Sequence, residues 1–441
     1  MINAVDSDLY LYCLIFWVVG LGLTVFLTRA KKTLGVGLPA LFLAMMFLNH
    51  WFGALVCYLP WYRPDPLWNK PNHIELTYEG FYQATVGVAG FLIGCLIVAP
   101  FLIRKTLTSD GPQDPNKIPA VANLNIKAGL LCYVLMAIGA GVIGSATSLL
   151  TSGFNLILAG MALYIWRGNL LKNANLMRWP VLIAAAFPFF TLITQGFLGY
   201  GVSYFVVVAA FYAHFHGLNI RWLIVTPIVI YLGLSFFTTY MRDRTTIRNS
   251  VWGERGVQST TDRIFRSAST FEWFDFKDNK HLERINSRLN QNSLIGSSVQ
   301  YIESTGKYAD GETLWTAIVA LIPRAVWPNK PISAGSGGLV TRYTGIKFAA
   351  GTSVAIGMIM EFYVNFGTLC VFFGMLIHGI LLRILDNRAG KNLLLGNYFI
   401  FSIYFLAGLS LLNVLGSMVE ITVNFSASII VAYSLQRFAK N

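Results

Sequence analysis

Apolar runs near twenty residues long recur along almost the whole chain, and no other feature restricts its fold so far. They lie near residues 9–28, 34–58, 80–102, 128–146, 149–166, 180–197, 201–216 and 222–240, and again beyond a polar stretch at 352–382, 394–414 and 420–436. A hydrocarbon core about 30 Å thick needs about 20 apolar residues in a helix, and inside it every backbone group must bond within the protein. Composition agrees, since 55% of the residues are hydrophobic and 12% are charged, against about 25% charged in an ordinary soluble domain. The expected fold is an all-α polytopic membrane protein of about 11 transmembrane helices. Residues 1–240 form a bundle of about eight helices, 241–351 a large polar loop containing short or re-entrant helices, and 352–441 a bundle of about three.

The net charge of +13 does not mark a nucleic-acid partner, because Lys and Arg collect in short clusters between apolar runs and not along one face. Arg29, Lys31 and Lys32, then Arg104, Lys105 and Lys117, then Arg167, Lys172 and Arg178, then Arg221 fall on one side. So do Arg383, Arg388 and Lys391, and finally Arg437 and Lys440. Positive charge stays in the cytoplasm, so the C-terminus is expected there and the N-terminus, with Asp6 and Asp8, outside. The same parity decides the short run 313–327, which carries Pro323 and Arg324. If it crossed, every later cluster would invert, so it is predicted as an interfacial or re-entrant helix of the outer loop.

The charged stretch 104–127 reads as a flexible cytoplasmic linker. Trp61, Tyr62 and Trp68 are expected at the outer helix ends and Trp166, Trp179 and Trp222 at the inner ones. Cys13, Cys57, Cys95, Cys132 and Cys370 sit in or beside apolar runs without C-x-x-C spacing and read as small core residues. The N-terminus lacks a basic n-region and a small-residue cleavage site, so the first apolar run is expected to remain as a helix. His214 and His216 form a weak H-x-H pattern with no carboxylate near in sequence. The segment SAGSGG (333–338) matches no phosphate-binding loop and reads as a flexible or tight-turning stretch. No metal or cofactor is expected.

Arginines on the outer side of a membrane run against the topology rule and ask for a reason. The loop holds Arg242, Arg244, Arg248, Arg255, Arg263, Arg266, Arg284, Arg288, Arg324, Lys330, Arg342 and Lys347. Either these pair with loop acids such as Asp243, Glu254, Asp262 and Glu283 or with lipid headgroups, or they grip phosphate oxygens through paired N–H donors. Those leaving the helix before the loop and those flanking 313–327 fall at headgroup depth, where a lipid-borne pyrophosphate arrives. Glu361, with Asn365 one turn later on the same face, lies in the outer part of the next apolar run, and Glu420 and Asn424 repeat the spacing. A carboxylate there is either a partner for one of the arginines or a functional group. Arginine holding a diphosphate and a carboxylate taking a proton from a hydroxyl are the parts of a metal-free glycosyl transfer.

The wording of the loop adds a likeness. RLNQN (288–292), then IPRAVWPNKP (322–331), then MEFYVNFG (360–367) resemble, in order and spacing, the R-x-x-Q, Pro-Arg…Trp…Lys-Pro and Glu…Asn-Phe-Gly elements of bacterial O-antigen polymerases, the Wzy family. The resemblance covers the last third of the loop and the helix after it. It implies a GT-C-like membrane glycosyltransferase of the bacterial inner membrane. Such an enzyme joins undecaprenyl-pyrophosphate-linked repeat units at the periplasmic face, with a chain-length regulator and a flippase as protein partners. On that likeness Arg288, Arg324 and Arg342 bind pyrophosphate, Lys330 adds a phosphate or sugar contact, and Glu361 is the base or acceptor-orienting group. Arg242, Arg244, Arg248, Gln291 and Asn365 complete the expected site. Trp327, Trp252 and Trp273 stack on sugars or anchor at the headgroups. An O-antigen ligase would share the donor chemistry, whereas a flippase would spread charges through the membrane depth.

Overall fold

The computed structural model describes residues 7–28, 34–67, 69–103, 113–139, 147–217, 220–252, 267, 269–322, 327, 329, 335–348 and 354–439, and among these there is no strand. The helices of the first part are α1 (Ser7–Leu27), α2 (Leu38–Tyr58), α3 (His73–Leu102), α4 (Ile118–Gly139), α5 (Thr147–Leu170), α6 (Ala174–Gln195), α7 (Leu198–His216) and α8 (Ile220–Trp252). Then come α9 (Asn279–Leu289), α10 (Asn292–Thr305), α11 (Glu312–Ala320) and α12 (Gly335–Thr344), followed by α13 (Met358–Leu394), α14 (Tyr398–Ser410) and α15 (Met418–Phe438). Among the described residues nine helices, α1 to α7, α13 and α15, are long and apolar enough to cross a membrane. The chain is a multi-pass helical membrane protein. The two further spans expected from sequence correspond to the first half of α8 and to α14, which is apolar but 13 residues long.

Several boundaries differ from the sequence reading, each for a local reason. α8 continues to Trp252 instead of stopping at residue 240, so Arg242, Arg244 and Arg248 stand on a helix and not on a loop. α13 continues past residue 382 to Leu394, because Arg383 and Asp386 neutralise each other inside the bundle. α4 begins at Ile118, within the stretch expected to be a linker, with Pro119 in its first turn where the missing N–H costs nothing. The Gly-rich segment opens α12, and its Ser336 hydroxyl donates to Glu420 of α15 at 3.2 Å. Tyr62 and Trp166, expected at helix ends facing the membrane boundary, are buried, and the Tyr62 hydroxyl donates to Glu283 at 2.6 Å.

Lipid supplies no hydrophobic drive between helices, so close backbone approach through small residues must supply the packing. Glycines meet that need here. A Cβ at Gly90 or Gly94 of α3 would overlap the carbonyl of Phe372 or Leu376 on α13, and one at Gly379 would overlap that of Phe91. α10 lies on the other end of α3 in the same way, with Gly80 against the Asn292 carbonyl and Gly296 against that of Leu76. Gly296→Val is therefore expected to prevent α10 from seating, read as loss of monodisperse protein on size exclusion; a wild-type elution profile would refute this contact.

The remote end of α13 pins the start of α2. Asp386 is fully buried, and its Oδ1 accepts the N–H groups of Val36, Gly37 and Leu38 at 2.9, 2.9 and 3.0 Å. These are donors that a helix start leaves without intrahelical partners. Asp386→Ala strands them together with a buried Arg383, which costs about 3–5 kcal/mol. An unchanged thermal midpoint in detergent would contradict that expectation.

Candidate functional site

The junction between α9 and α10 is where polar residues enter the bundle. α2 contains one π-helical turn, Phe47–Trp51, which releases carbonyls from the regular ladder. Two of these receive the junction: the Gln291 N–H donates to the Asn49 carbonyl at 2.9 Å, and the Asn292 side chain to the His50 carbonyl at 2.8 Å. The His50 ring is 2.8 Å from the Asn292 side-chain oxygen. Asn290 donates to Thr77 at 2.9 Å and to Asn286 at 2.7 Å, and His73 closes the set against Asn286. Gln291 Nε2 donates to the Ala355 carbonyl at 2.7 Å, which ties the junction to the segment leading into α13. The R-x-x-Q element thus anchors the chain, with Arg288 at its end.

Arg288 sits beside two arginines of α8. Arg244 and Arg248 are one turn apart on one face of that helix, and Arg248 lies over the Phe197 ring at 4.6 Å. Partial desolvation, and then the charges of Arg244 and Arg248, hold the Arg288 guanidinium below its ordinary value. Among the described residues neither Arg244 nor Arg288 pairs with a carboxylate. Arg288 is solvent-exposed, so the cluster is open to an anion from outside. An anion would relieve the like charges of Arg244 and Arg288.

Other expected site cations are committed elsewhere. Arg242 pairs with Asp243 at 2.6 Å and Glu272 at 2.8 Å, and Arg284 pairs with Glu272 at 2.7 Å. Glu272 therefore bridges α8 and α9. Burial pushes its carboxyl up, but hydrogen bonds from Arg242 and Arg284 outweigh this and bring it down to about 2. A depressed carboxyl stabilises the fold above its unfolded value near 4.5 and loses that contribution as pH falls towards 2. The thermal midpoint should thus drop on acidification below pH about 4.5, and Glu272→Gln should lower the midpoint at neutral pH and flatten the drop. Arg342 pairs with Glu312 at 2.9 Å on an exposed surface. Trp327 is half-exposed at 39%. Arg324, Lys330, Arg255, Arg263, Arg266 and the Trp252 side chain lie outside the described residues.

Three helices converge on the start of α13. Glu361 is fully buried; its Oε2 accepts the Met418 N–H at 2.7 Å, and the Thr313 hydroxyl lies within reach of the carboxyl. Asn365 donates to the Glu361 carbonyl at 2.6 Å and to Thr313 at 2.7 Å, and accepts the Gly311 N–H at 3.0 Å, fixing the start of α11. Phe366 and Gly367 then break the helix, Gly367 at φ 67° and ψ −157°, a conformation reserved for glycine. The Asn-Phe-Gly element is thus a joint within α13. Glu420 forms a capping box with Ser417 at the start of α15 and accepts the Ser336 hydroxyl, bringing α12 to the same place.

The fold therefore assembles Arg244, Arg248 and Arg288 in one group and Glu361, Asn365 and Glu420 in another, with Gln291 tying the junction beside the first to the segment before the second. Arg242 and Arg342 belong to ion pairs outside both. Sequence reading missed the clamp residues His50, His73, Asn290 and Asn292, of which His50 alone carried a signal, an ionisable side chain inside an apolar run. The H-x-H pair is divided, His214 lying 3.0 Å from the Gly35 carbonyl and His216 stacking on Tyr212.

Comparison with known proteins adds one finding. No curated protein and no solved structure matches the chain. A family model described as "Domain of unknown function (DUF8712)" matches residues 78–439, from within α3 to the end of α15. Both groups of site residues fall inside that match, while Asn49 and His50, which hold the junction, fall before it, and the chain belongs to this DUF8712 family.

Proposed function

We propose that the protein is a membrane glycosyltransferase that extends glycans carried on undecaprenyl pyrophosphate. Arg244, Arg248 and Arg288 carry the reading: cations on two helices, with no carboxylate on Arg244 or Arg288 among the described residues, and open to solvent through Arg288. A pyrophosphate would bring negative charge to Arg244 and Arg288. The topology that goes with it has about 11 spans in the bacterial inner membrane, the N-terminus and residues 241–351 on the periplasmic side and the C-terminus in the cytoplasm.

In the reaction the acceptor hydroxyl attacks the anomeric carbon, the bond from that carbon to the pyrophosphate oxygen breaks, and the diphosphate leaves held by the arginines. The hydroxyl proton passes to a carboxylate, for which Glu361, whose Oε1 is not held by the Met418 N–H, is the candidate. Arginine supplies the charge a metal would otherwise provide, so the transfer should tolerate chelators. Arg324 and Lys330 join this site in the reading drawn from the O-antigen polymerase resemblance.

The test is product analysis in cells that make lipid-linked repeat units and lack this protein. Restoring it should yield a ladder of lipid-linked oligomers. Glycan appearing on a new acceptor without a ladder would identify a ligase, and relocation of single repeat units alone would identify a transporter.

A further inference from the structure

Residues 271–276 (FEWFDF) run antiparallel along α8. Its register is set by hydrogen bonds. Arg242 donates to the Thr270 carbonyl at 2.8 Å, the Glu272 N–H to the Thr239 hydroxyl at 3.1 Å, and the Phe274 N–H to the Ser235 hydroxyl at 3.0 Å. Lower still, the rings of Trp273 and Phe276 stack on Tyr231, with centroids 6.1 and 6.4 Å away. From Arg242 to Tyr231 the segment follows α8 for about 16 Å. Phe274 turns inward against Val56, Cys57, Leu282 and Ile285, whereas Phe271, Trp273 and Phe276 face outward, Trp273 60% and Phe276 55% exposed.

We infer that this segment is a membrane-docked strap whose outward rings sit at the headgroup boundary of the leaflet on the Arg244 side. Three independent features point to lipid as the occupant. The rings adjoin, through Tyr231, a stretch of α8 on which Ile228, Val229, Ile230 and Leu232 are exposed. Inward amides are satisfied by hydroxyls of α8, which is what non-helical backbone needs in order to approach hydrocarbon, and tryptophan favours that boundary. Exposed Lys277 and Arg63 flank the rings, the latter beside Trp61, which donates to the Phe276 carbonyl at 2.9 Å; such cations suit anionic headgroups.

A glycan would use the same rings and would ask for carboxylates turned to accept its hydroxyls. Glu272 is turned to Arg242 and Arg284 instead, and Asp275, exposed, accepts the Lys277 N–H. Through Glu272 the strap joins α8 to α9, so its depth sets the height at which Arg244 and Arg288 meet the headgroups.

Spin labels on Trp273→Cys and Phe276→Cys in lipid nanodiscs test this, with Ile228→Cys and Lys280→Cys as lipid and water references. The signal of the wild-type protein, with its five native cysteines, is subtracted. Relaxation by oxygen should exceed that by a water-soluble nickel chelate at both 273 and 276, shifting the ratio to the Ile228 side of the Lys280 value. Two independent sites guard against one failing to fold. Nickel-dominated relaxation at either site overturns the strap; if soluble repeat-unit oligosaccharide then suppresses it, the rings are a glycan platform.

Discussion

Arg288→Ala is expected to cut ladder formation by about 10²–10³-fold, the usual loss when one preorganised charge-stabilising donor is removed from a transition state. The protein should accumulate normally. Arg288 repels Arg244 and Arg248 in the absence of an anion, so its removal relieves the cluster and the thermal midpoint should hold or rise. That pairing of lost activity with retained stability distinguishes a substrate contact from a structural arginine. Arg242→Ala should behave in the opposite way, since Arg242 is held by Asp243 and Glu272. Lysine at 288 should restore only part of the rate, because an ammonium lacks the paired donors of guanidinium. A full ladder from Arg288→Ala would remove the arginine cluster from the site.

Glu361→Gln separates two roles that one carboxylate holds. The amide oxygen continues to accept the Met418 N–H, now at 2.7 Å, so α15 keeps its added cap. What the amide loses is the capacity to take a proton. If Glu361 is the base, the rate should fall by about 10²–10⁴-fold with the thermal midpoint little changed. Glu361→Ala should lower both, leaving the start of α15 short of an acceptor. A glutamine variant with the wild-type rate would leave Glu361 as a helix cap alone, and the proton acceptor would have to be sought elsewhere.

Helices, the membrane class and the short helix after residue 311 were legible in the sequence, because hydrocarbon imposes a length and a polarity that hydropathy reads directly. The site was legible only in part. Hydropathy treats Arg383 and Asp386 as two charges that end a span, whereas in the fold they cancel and the helix runs on. The same blindness hid Glu272, whose partners Arg242 and Arg284 are far apart in sequence and meet only when α8 and α9 pack. The contacts of Gln291 were not legible, because its neighbours in space, Asn49 and Ala355, belong to distant segments. Gly80 and Gly296 looked like ordinary glycines of apolar helices, although they are where α3 and α10 touch. Arg288 stood out as one of a dozen loop cations, and nothing short of packing could set it beside Arg244 and Arg248.

The most direct measurement is made on purified protein in nanodiscs, supplied with undecaprenyl-pyrophosphate-linked repeat units in the presence of a chelator. The account predicts lipid-linked dimers and longer oligomers, with undecaprenyl pyrophosphate released once per bond formed, and neither from Arg288→Ala. Intact repeat units with no oligomer and no released pyrophosphate carrier would contradict it.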